Sequence, residues 1–432
     1  MSKPYHVYLD LDVVNNDTTP NQKAPQLSFE ETRSQPFLDG TADDYFVAIA
    51  RFSIQTGGTL PVFIPAIQTG QDDIDLTVYR ITIDYNGSTG YADIRHVAQP
   101  TADNAASPMN GQDFSGNHYY VYNYSDWIQM VNTGFTAAVK DLQNKLIAAS
   151  TASSPIPLTA FTAQGGANGS AVPFMMIDLQ ALTCVLNVDL NWYDSSATGK
   201  AAVYFNTRLY ELFVGFPFKF LGYTGDKNYQ IPINNVSSSN ILTTSLNGTS
   251  TKYLQAFQEV STVGLWNPVS SIVFTSTTLP IHPTLTSQPR VYNSSSNGMR
   301  GSGACNLSNT LTDFEIAISS TNSYRPEISY APQGEYRLID MYSNSNLNKI
   351  DLNVFWKDKY GNLKPLRLKP GCSASVKILF RHKHFYLGYE WANMLPSSML
   401  YTTAMSDGTF ENILGERRQY RMFDEQGQVL CK

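Results

Sequence analysis

The sequence predicts an all-β protein, a jelly-roll β-sandwich with one amphipathic helix and long loops. Three observations predict it. Short stretches of two-residue alternation recur along the chain, as at Tyr79–Tyr85, Ile350–Trp356 and Val376–Phe380, and that period belongs to strands with one buried face. The chain holds 26 Tyr and 22 Phe and is rich in Thr, residues that suit a pleated, half-buried surface. Long tracts of Ser, Thr, Asn and Gly separate the alternating pieces, the pattern of a sandwich or jelly roll and not of strands interleaved with helices. At 432 residues the chain exceeds one ordinary domain, so its length leaves room for an inserted or second β domain.

Taken in order, residues 1–44 are polar with short apolar pieces such as Val7-Tyr8-Leu9. Residues 45–54 place Phe46, Ala48, Ala50, Phe52 and Ile54 on one face and Tyr45, Val47 and Ile49 on the other; apolar on both sides, they predict a central strand. Tyr79, Ile81, Ile83 and Tyr85 alternate with polar residues, and Asn86-Gly87-Ser88 ends that strand with turn chemistry. A loop is expected over 98–117. One helix is expected over 125–147, where Ile128, Val131, Phe135, Val139, Leu142 and Leu146 form an apolar stripe behind a Ser125 cap. The Ala, Ser, Gly and Pro of 150–172 read as a linker, dividing an N-terminal β region (1–149) from a C-terminal β-sandwich region (173–385). Beyond it, strands are expected at 175–188, 202–205, 270–274, 314–318, 350–356 and 376–380, with a helical turn near 209–214. Polar loops are expected at 234–251 and 280–310. Residues 386–432 read as a tail beyond the last clear strand, of the kind that stays loose unless a neighbour ties it down.

Composition also excludes some functions. The charged fraction is 15% and the net charge −6. Lys3, Lys23 and Arg33 are outnumbered by six acids in the first forty residues, so there is no basic arm to neutralise phosphates and no direct genome condensation is expected. Cys184, Cys305, Cys372 and Cys431 are scattered, without a CxxC pair for zinc or redox chemistry. The start carries no signal-peptide core, and the longest apolar stretch, 212–221, is too short to span a bilayer.

No catalytic motif appears, and the expectation is a structural protein with no enzymatic activity, cofactor or metal. The piece Gly298-Met-Arg-Gly301-Ser-Gly303 has the wrong order for a dinucleotide fingerprint and reads as a loop. His382 and His384 share a strand face, as do Asp10 and Asp12, but neither pair has a third ligand in view, and both read as exposed strand positions. Residues 349–383 hold nine basic residues against two acids. Lys357, Lys359, Lys364, Arg367, Lys369, Lys377, Arg381 and Lys383 are therefore a candidate contact patch for an acidic neighbour or nucleic acid. The bland alternative is lysine-protected strand faces. The five tryptophans are expected to be mostly buried, which weighs against a carbohydrate-binding surface module.

Several phrases together carry a family resemblance. They are Glu31-Thr-Arg-Ser, Tyr45-Phe-Val-Ala-Ile-Ala-Arg-Phe, Leu60-Pro-Val-Phe-Ile-Pro, the run from Gln258 through Trp266-Asn-Pro-Val, Leu279-Pro-Ile, Gly334-Glu-Tyr-Arg, and Ile350-Asp-Leu-Asn-Val-Phe-Trp. In these the chain resembles the minor capsid (penton) proteins of virophages and of Polinton-like or adinto-like DNA viruses. The resemblance implies a jelly-roll protein of the virion, assembled inside the host cell, that forms homopentamers at icosahedral vertices. Its implied partners are its own copies and a separate major capsid protein, with a host receptor as a further candidate. Two alternatives stand beside it: a trimeric major capsid protein, which a second jelly roll in this long chain would favour over an inserted domain, and the carbohydrate-binding module.

Overall fold

In the computed structural model the first strand, β1 (His6–Val14), keeps strict alternation: Leu9 and Leu11 face the core with Val7 and Val13 packed beside them, while Tyr8, Asp10 and Asp12 face out. The next two strands are β2 (Ser28–Thr32) and β3 (Tyr45–Gln55). β3 is central, between two neighbours, but its faces are not those of unbroken alternation. Tyr45, Val47 and Ile49 enter the core in its first half, and Phe52 and Ile54 in its second. The cause is a bulge: Ile49 and Arg51 stand opposite the consecutive residues Ile378 and Lys377, leaving Ala50 as the extra residue. The structure describes residues 6–17, 24–55, 60–65, 78–95 apart from 86, 119–149, 172–194, 200–234 apart from 224, 240–286 apart from 247–248, 306–315, 327–332, 337–383 apart from 360, 409–411 and 417–419.

After β3 the chain builds a second sandwich. β4 (Arg80–Tyr85) and β5 (Ser88–Asp93) form a hairpin in which Gly87 takes φ +77°, a conformation that favours glycine. The helix, α1, spans Tyr124–Ala149. Its cap is Asn123, not Ser125: the Asn123 side-chain oxygen accepts from the Asp126 N–H at 2.8 Å. The expected stripe is buried, and Gly90 of β5 lets α1 come close. A Cβ there would stand 2.4 Å from the Ala138 carbonyl oxygen and Leu142. Seven strands follow: β6 (Phe174–Asp178), β7 (Thr183–Asp189), β8 (Ala202–Phe205), β9 (Lys219–Phe220), β10 (Tyr229–Ile231), β11 (Ile241–Leu246) and β12 (Thr249–Phe257). They make the sheets β5-β4-β8-β10-β9 and β11-β12-β7-β6. The pair β11–β12 falls in the stretch 234–251 that was expected to be a loop. β11 and β12 pair from Ile241–Leu254 to Leu246–Thr249, and the signal in the sequence was Asn247-Gly248, favoured between hairpin strands.

The chain then returns to the first sandwich with β13 (Val269–Thr275), a small hairpin β14 (Thr284–Thr286) and β15 (Asn306–Ser308), β16 (Thr310–Glu315), β17 (Glu327–Tyr330), β18 (Ile339–Asp340), β19 (Lys349–Asp358), β20 (Leu363–Pro365) and β21 (Ser373–His382). The tail contributes a two-stranded pair, β22 (Thr409–Glu411) and β23 (Arg417–Gln419). The sheets are β1-β21-β3-β17 and β16-β13-β19-β2, with β18 on β3 and β20 on β19. Counting the eight main strands in chain order, the sheets run 1-8-3-6 and 2-7-4-5, the double Greek-key order of a jelly roll. The described strands of the inserted sandwich have no such order, being antiparallel neighbours laid side by side.

Each sandwich has its own core. One is lined by residues 9–54 and 269–380, with Tyr120 and Tyr122; the other by residues 63–266. The cores therefore do not follow the line 1–149 and 173–385 that the linker drew: α1 on one side of that linker and β6–β8 on the other share one core. The two cores meet where segments cross. Tyr120 and Tyr122 enter the jelly-roll core and Val121 between them the inserted one, while Val121 N–H donates to the Phe63 carbonyl at 2.9 Å. The expected loop 98–117, nearly all of the linker 150–172, the glycine-rich piece 298–303 and most of the tail 386–432 lie outside the described residues.

Candidate contact surfaces

The basic stretch is split by the jelly roll. Lys357 on β19, Lys359 in the following turn, Lys364 on β20, Arg367 and Lys369 belong to one sheet and its margin, while Lys377 and Arg381 on β21 and Lys383 just beyond it belong to the other. Most are held by the chain itself. Lys377 pairs with Asp10 at 3.2 Å, and Lys383 pairs with Asp340 and, at 3.5 Å, with Asp43. The Arg367 guanidinium donates to the Ala24 carbonyl. Lys359 donates to the Leu265 carbonyl at 3.1 Å, where burial lowers its pKa, and Lys369 lies over the Tyr122 ring. Arg381 is half-buried on β21. The structure thus does not gather these eight residues onto one face.

The other sequence candidates separate in the same way. Asp10 is engaged by Lys377 and, at 3.9 Å, by Arg51. His382 is not at a solvated strand end: it is 8% exposed and its ring meets Tyr45 edge-on at 5.0 Å. His384 lies outside the described residues. Among the described residues no group of three metal-ligating side chains comes together. Burial pushes the Cys184 thiol well up. The outer face of the β1-β21-β3-β17 sheet carries two adjoining shallow depressions of about 240 and 320 Å³, lined by Asp12, Ser53, Gln55, Glu327 and Ser375 among others. The Ser53 hydroxyl there donates to Glu327.

Two polar clusters escaped sequence reasoning. Asp351, 6% exposed between Ile350 and Leu352, accepts from the hydroxyls of Ser276 at 2.8 Å, Thr277 at 2.7 Å and Thr278 at 2.7 Å, and from the N–H groups of Thr277 and Thr278. Burial alone would raise its pKa; the donors of Thr278, Thr277 and Ser276 outweigh burial and hold it at about 2. It ties β19 to the turn after β13. On the inserted sandwich, Arg80 donates to Asp93 at 2.6 Å and Asp226 at 2.7 Å and lies over the Tyr91 ring, which Lys145 also approaches. Neither cluster has a local signature, because its members come from distant parts of the chain. Trp127, Trp266 and Trp356 are buried, as expected. Among the described residues no helix is long and apolar enough to cross a membrane.

Comparison with known proteins adds identity to this geometry. The family model described as Sputnik minor capsid protein V18/19 matches residues 7–382, so the match ends at the last residue of β21. Structural protein V19 of Sputnik virophage is 27% identical over 206 residues, covering 44% of this chain and 86% of that protein. Uncharacterized protein V18 of Sputnik virophage is 30% identical over 121 residues, covering 26% and 71%. Among solved structures, a chain of the 3.5 Å cryo-EM structure of the Sputnik virophage superposes with TM-score 0.68 at 24% identity, covering 89% of this chain and 99% of that one. The crystal structure of mavirus penton protein superposes with TM-score 0.53 at 15% identity, covering 87% and 99%. At these identities the likeness is one of fold.

Proposed function

The chain belongs to the Sputnik minor capsid protein V18/19 family, a structural protein of the virion capsid, and from that premise we propose that it forms the five-fold vertices of an icosahedral DNA-virus shell as a homopentamer. Its mechanism is assembly and not catalysis. Copies associate with one another and with a separate major capsid protein through sheet faces and loops, each contact weak and multiplied by symmetry.

The observation that carries this reading is the single jelly roll. The trimeric major capsid alternative drew its strength from a second roll in the same chain. The described strands of the second sandwich have the order β5-β4-β8-β10-β9 against β11-β12-β7-β6, without the Greek-key return. The fold likeness to mavirus penton protein supports the vertex reading. Trp127, Trp266 and Trp356 are buried, and the half-buried Trp192 has Lys200 over its ring, which weighs against a carbohydrate module that stacks sugars on tryptophan. Within the basic stretch, Lys357 and Lys364 are the members without a hydrogen-bonded or ion-pair partner among the described residues, so we assign them to contact with an acidic neighbour. A host receptor is a further candidate partner of the outward loops.

Cryo-EM of particles containing this chain tests the assignment. Five copies of this fold around each icosahedral vertex is the expected result; its density on the faces, three copies at a time, would refute it.

A further inference from the structure

Among the described residues the inserted sandwich exposes apolar side chains at several places, Ile147, Val260 and Leu265 among them, and two of the clusters lie on strands that the topology sets apart. Val185 of β7 pairs with Met176 of β6 on one side and with Phe257 of β12 on the other, so the three stand in one row across the outer face of that sheet. Met176 is 50% exposed and Phe257 45%, and Leu179 in the turn after β6 is also exposed. Toward Asn187 and Asp189 the same face is buried, so the exposed part is the end that holds Met176, Phe257 and Asp178; Asp178 and Asp189 each cap the turn that follows them. Asp178 is exposed beside Leu179.

The second place is the edge of the opposite sheet. Phe205, Tyr229 and Phe220 are consecutive partners across β8, β10 and β9. Along that row exposure rises from 0% at Phe205 to 49% at Phe220, and Tyr223 beyond it is 77% exposed. The core row of the sheet thus runs out into solvent. Lys219, exposed, stands next to Phe220. α1 packs on β5, β4 and β6, which sets β5 and β6 on one flank. β9 is four strands from β5, roughly 19 Å across the sheet, on the other flank. Among the described residues neither Asp178 nor Lys219 has an ion-pair partner.

An isologous dimer needs one self-complementary patch, whereas a closed ring of more than two copies needs two different patches on different sides of the subunit. Charge-poor apolar patches with oppositely charged rims fit the second case. We propose that the Met176–Leu179–Phe257 flank of one copy docks against the Phe220–Tyr223 flank of the next, with Asp178 facing Lys219 across the contact. The inference rests on the reading of the chain as a ring-forming shell protein and names the surface that closes the ring.

Two full-length variants test it, one with Met176→Glu and Phe257→Glu, the other with Phe220→Glu and Tyr223→Glu. All four positions are exposed, so folding is checked by an unchanged far-UV spectrum. Each variant alone is expected to run as a 48.0 kDa monomer by light scattering. Mixed in equal amounts, each pair retains one intact flank of each kind, and assembly stops at 2 × 48.0 = 96 kDa. A gentler pair repeats the test: Lys219→Glu should raise the concentration needed for assembly roughly fivefold, as loss of one exposed ion pair does, and Asp178→Lys in the same chain should restore it. Variants that keep the wild-type mass, folded variants whose mixture stays monomeric, or a wild-type chain that stays monomeric when concentrated would each overturn the proposal. A wild-type trimer whose variants still stop at 96 kDa on mixing would uphold the flanks and remove the five-fold reading instead.

Discussion

The jelly roll closes by pairing strands from the two ends of the chain, His6 with Arg381 through Val14 with Ser373, whereas the inserted sandwich draws its whole core from residues 63–266. The inserted sandwich also has what the described residues of the roll do not, a helix of 26 residues packed on β4, β5 and β6. The difference bears on how each forms. Hairpins and a helix are local and close early, while the roll must wait until both termini of the shared region are present, and long loop closure slows such folding. A segment inserted after β3 can therefore be a self-contained unit without disturbing the register of β3 with β21.

Truncating one core at a time breaks this comparison most severely. Phe135→Ala in the inserted core and Phe380→Ala in the roll each remove a side chain of 0% exposure and should each cost roughly 3–5 kcal/mol. Calorimetry should show two transitions, with each variant lowering a different one. A single transition moved equally by both would mean that the crossing at Tyr120–Tyr122 couples the sandwiches into one cooperative unit.

Asp351 sharpens the comparison from the side of the roll. Its pKa lies at about 2, below the ordinary 3.8, so the stability it confers is fully present above about pH 4 and is lost as pH falls through 2. Asp351→Asn should cost roughly 1–3 kcal/mol at neutral pH and flatten the acid limb of the roll's transition, leaving the inserted sandwich as it was. Denaturant titration between pH 2 and 7 checks this.

The smallest effect belongs to the helix cap. Asn123→Ala removes the acceptor for the Asp126 N–H and should cost about 1 kcal/mol in the transition of the inserted sandwich, while Ser125→Ala, at a position that is not the cap, should cost less. Equal effects would return the cap to Ser125.

What was legible in the sequence was what is local. The alternation of Tyr79–Tyr85, Ile350–Trp356 and Val376–Phe380 and the stripe of α1 each lie within one element, and each appears in the structure. The phase of β3 was not legible, because its bulge is set by β21, more than three hundred residues away. Nor was the Asp351 cluster, whose donors sit on another strand's exit. The basic stretch was legible as composition only: its residues are close in sequence, but β19 and β21 belong to different sheets, which parts Lys357 from Lys377. The exposed flank residues Phe220 and Tyr223 lie in the Phe-rich run 213–223, where an apolar tract reads as core unless the end of the sheet is known.

The central claim is that this family member closes a ring of five, and the mass of the purified wild-type chain in solution tests it most directly. Light scattering after size exclusion should give 5 × 48.0 = 240 kDa. A stable species at 3 × 48.0 = 144 kDa would contradict the account and point to a trimeric building block of the shell's faces.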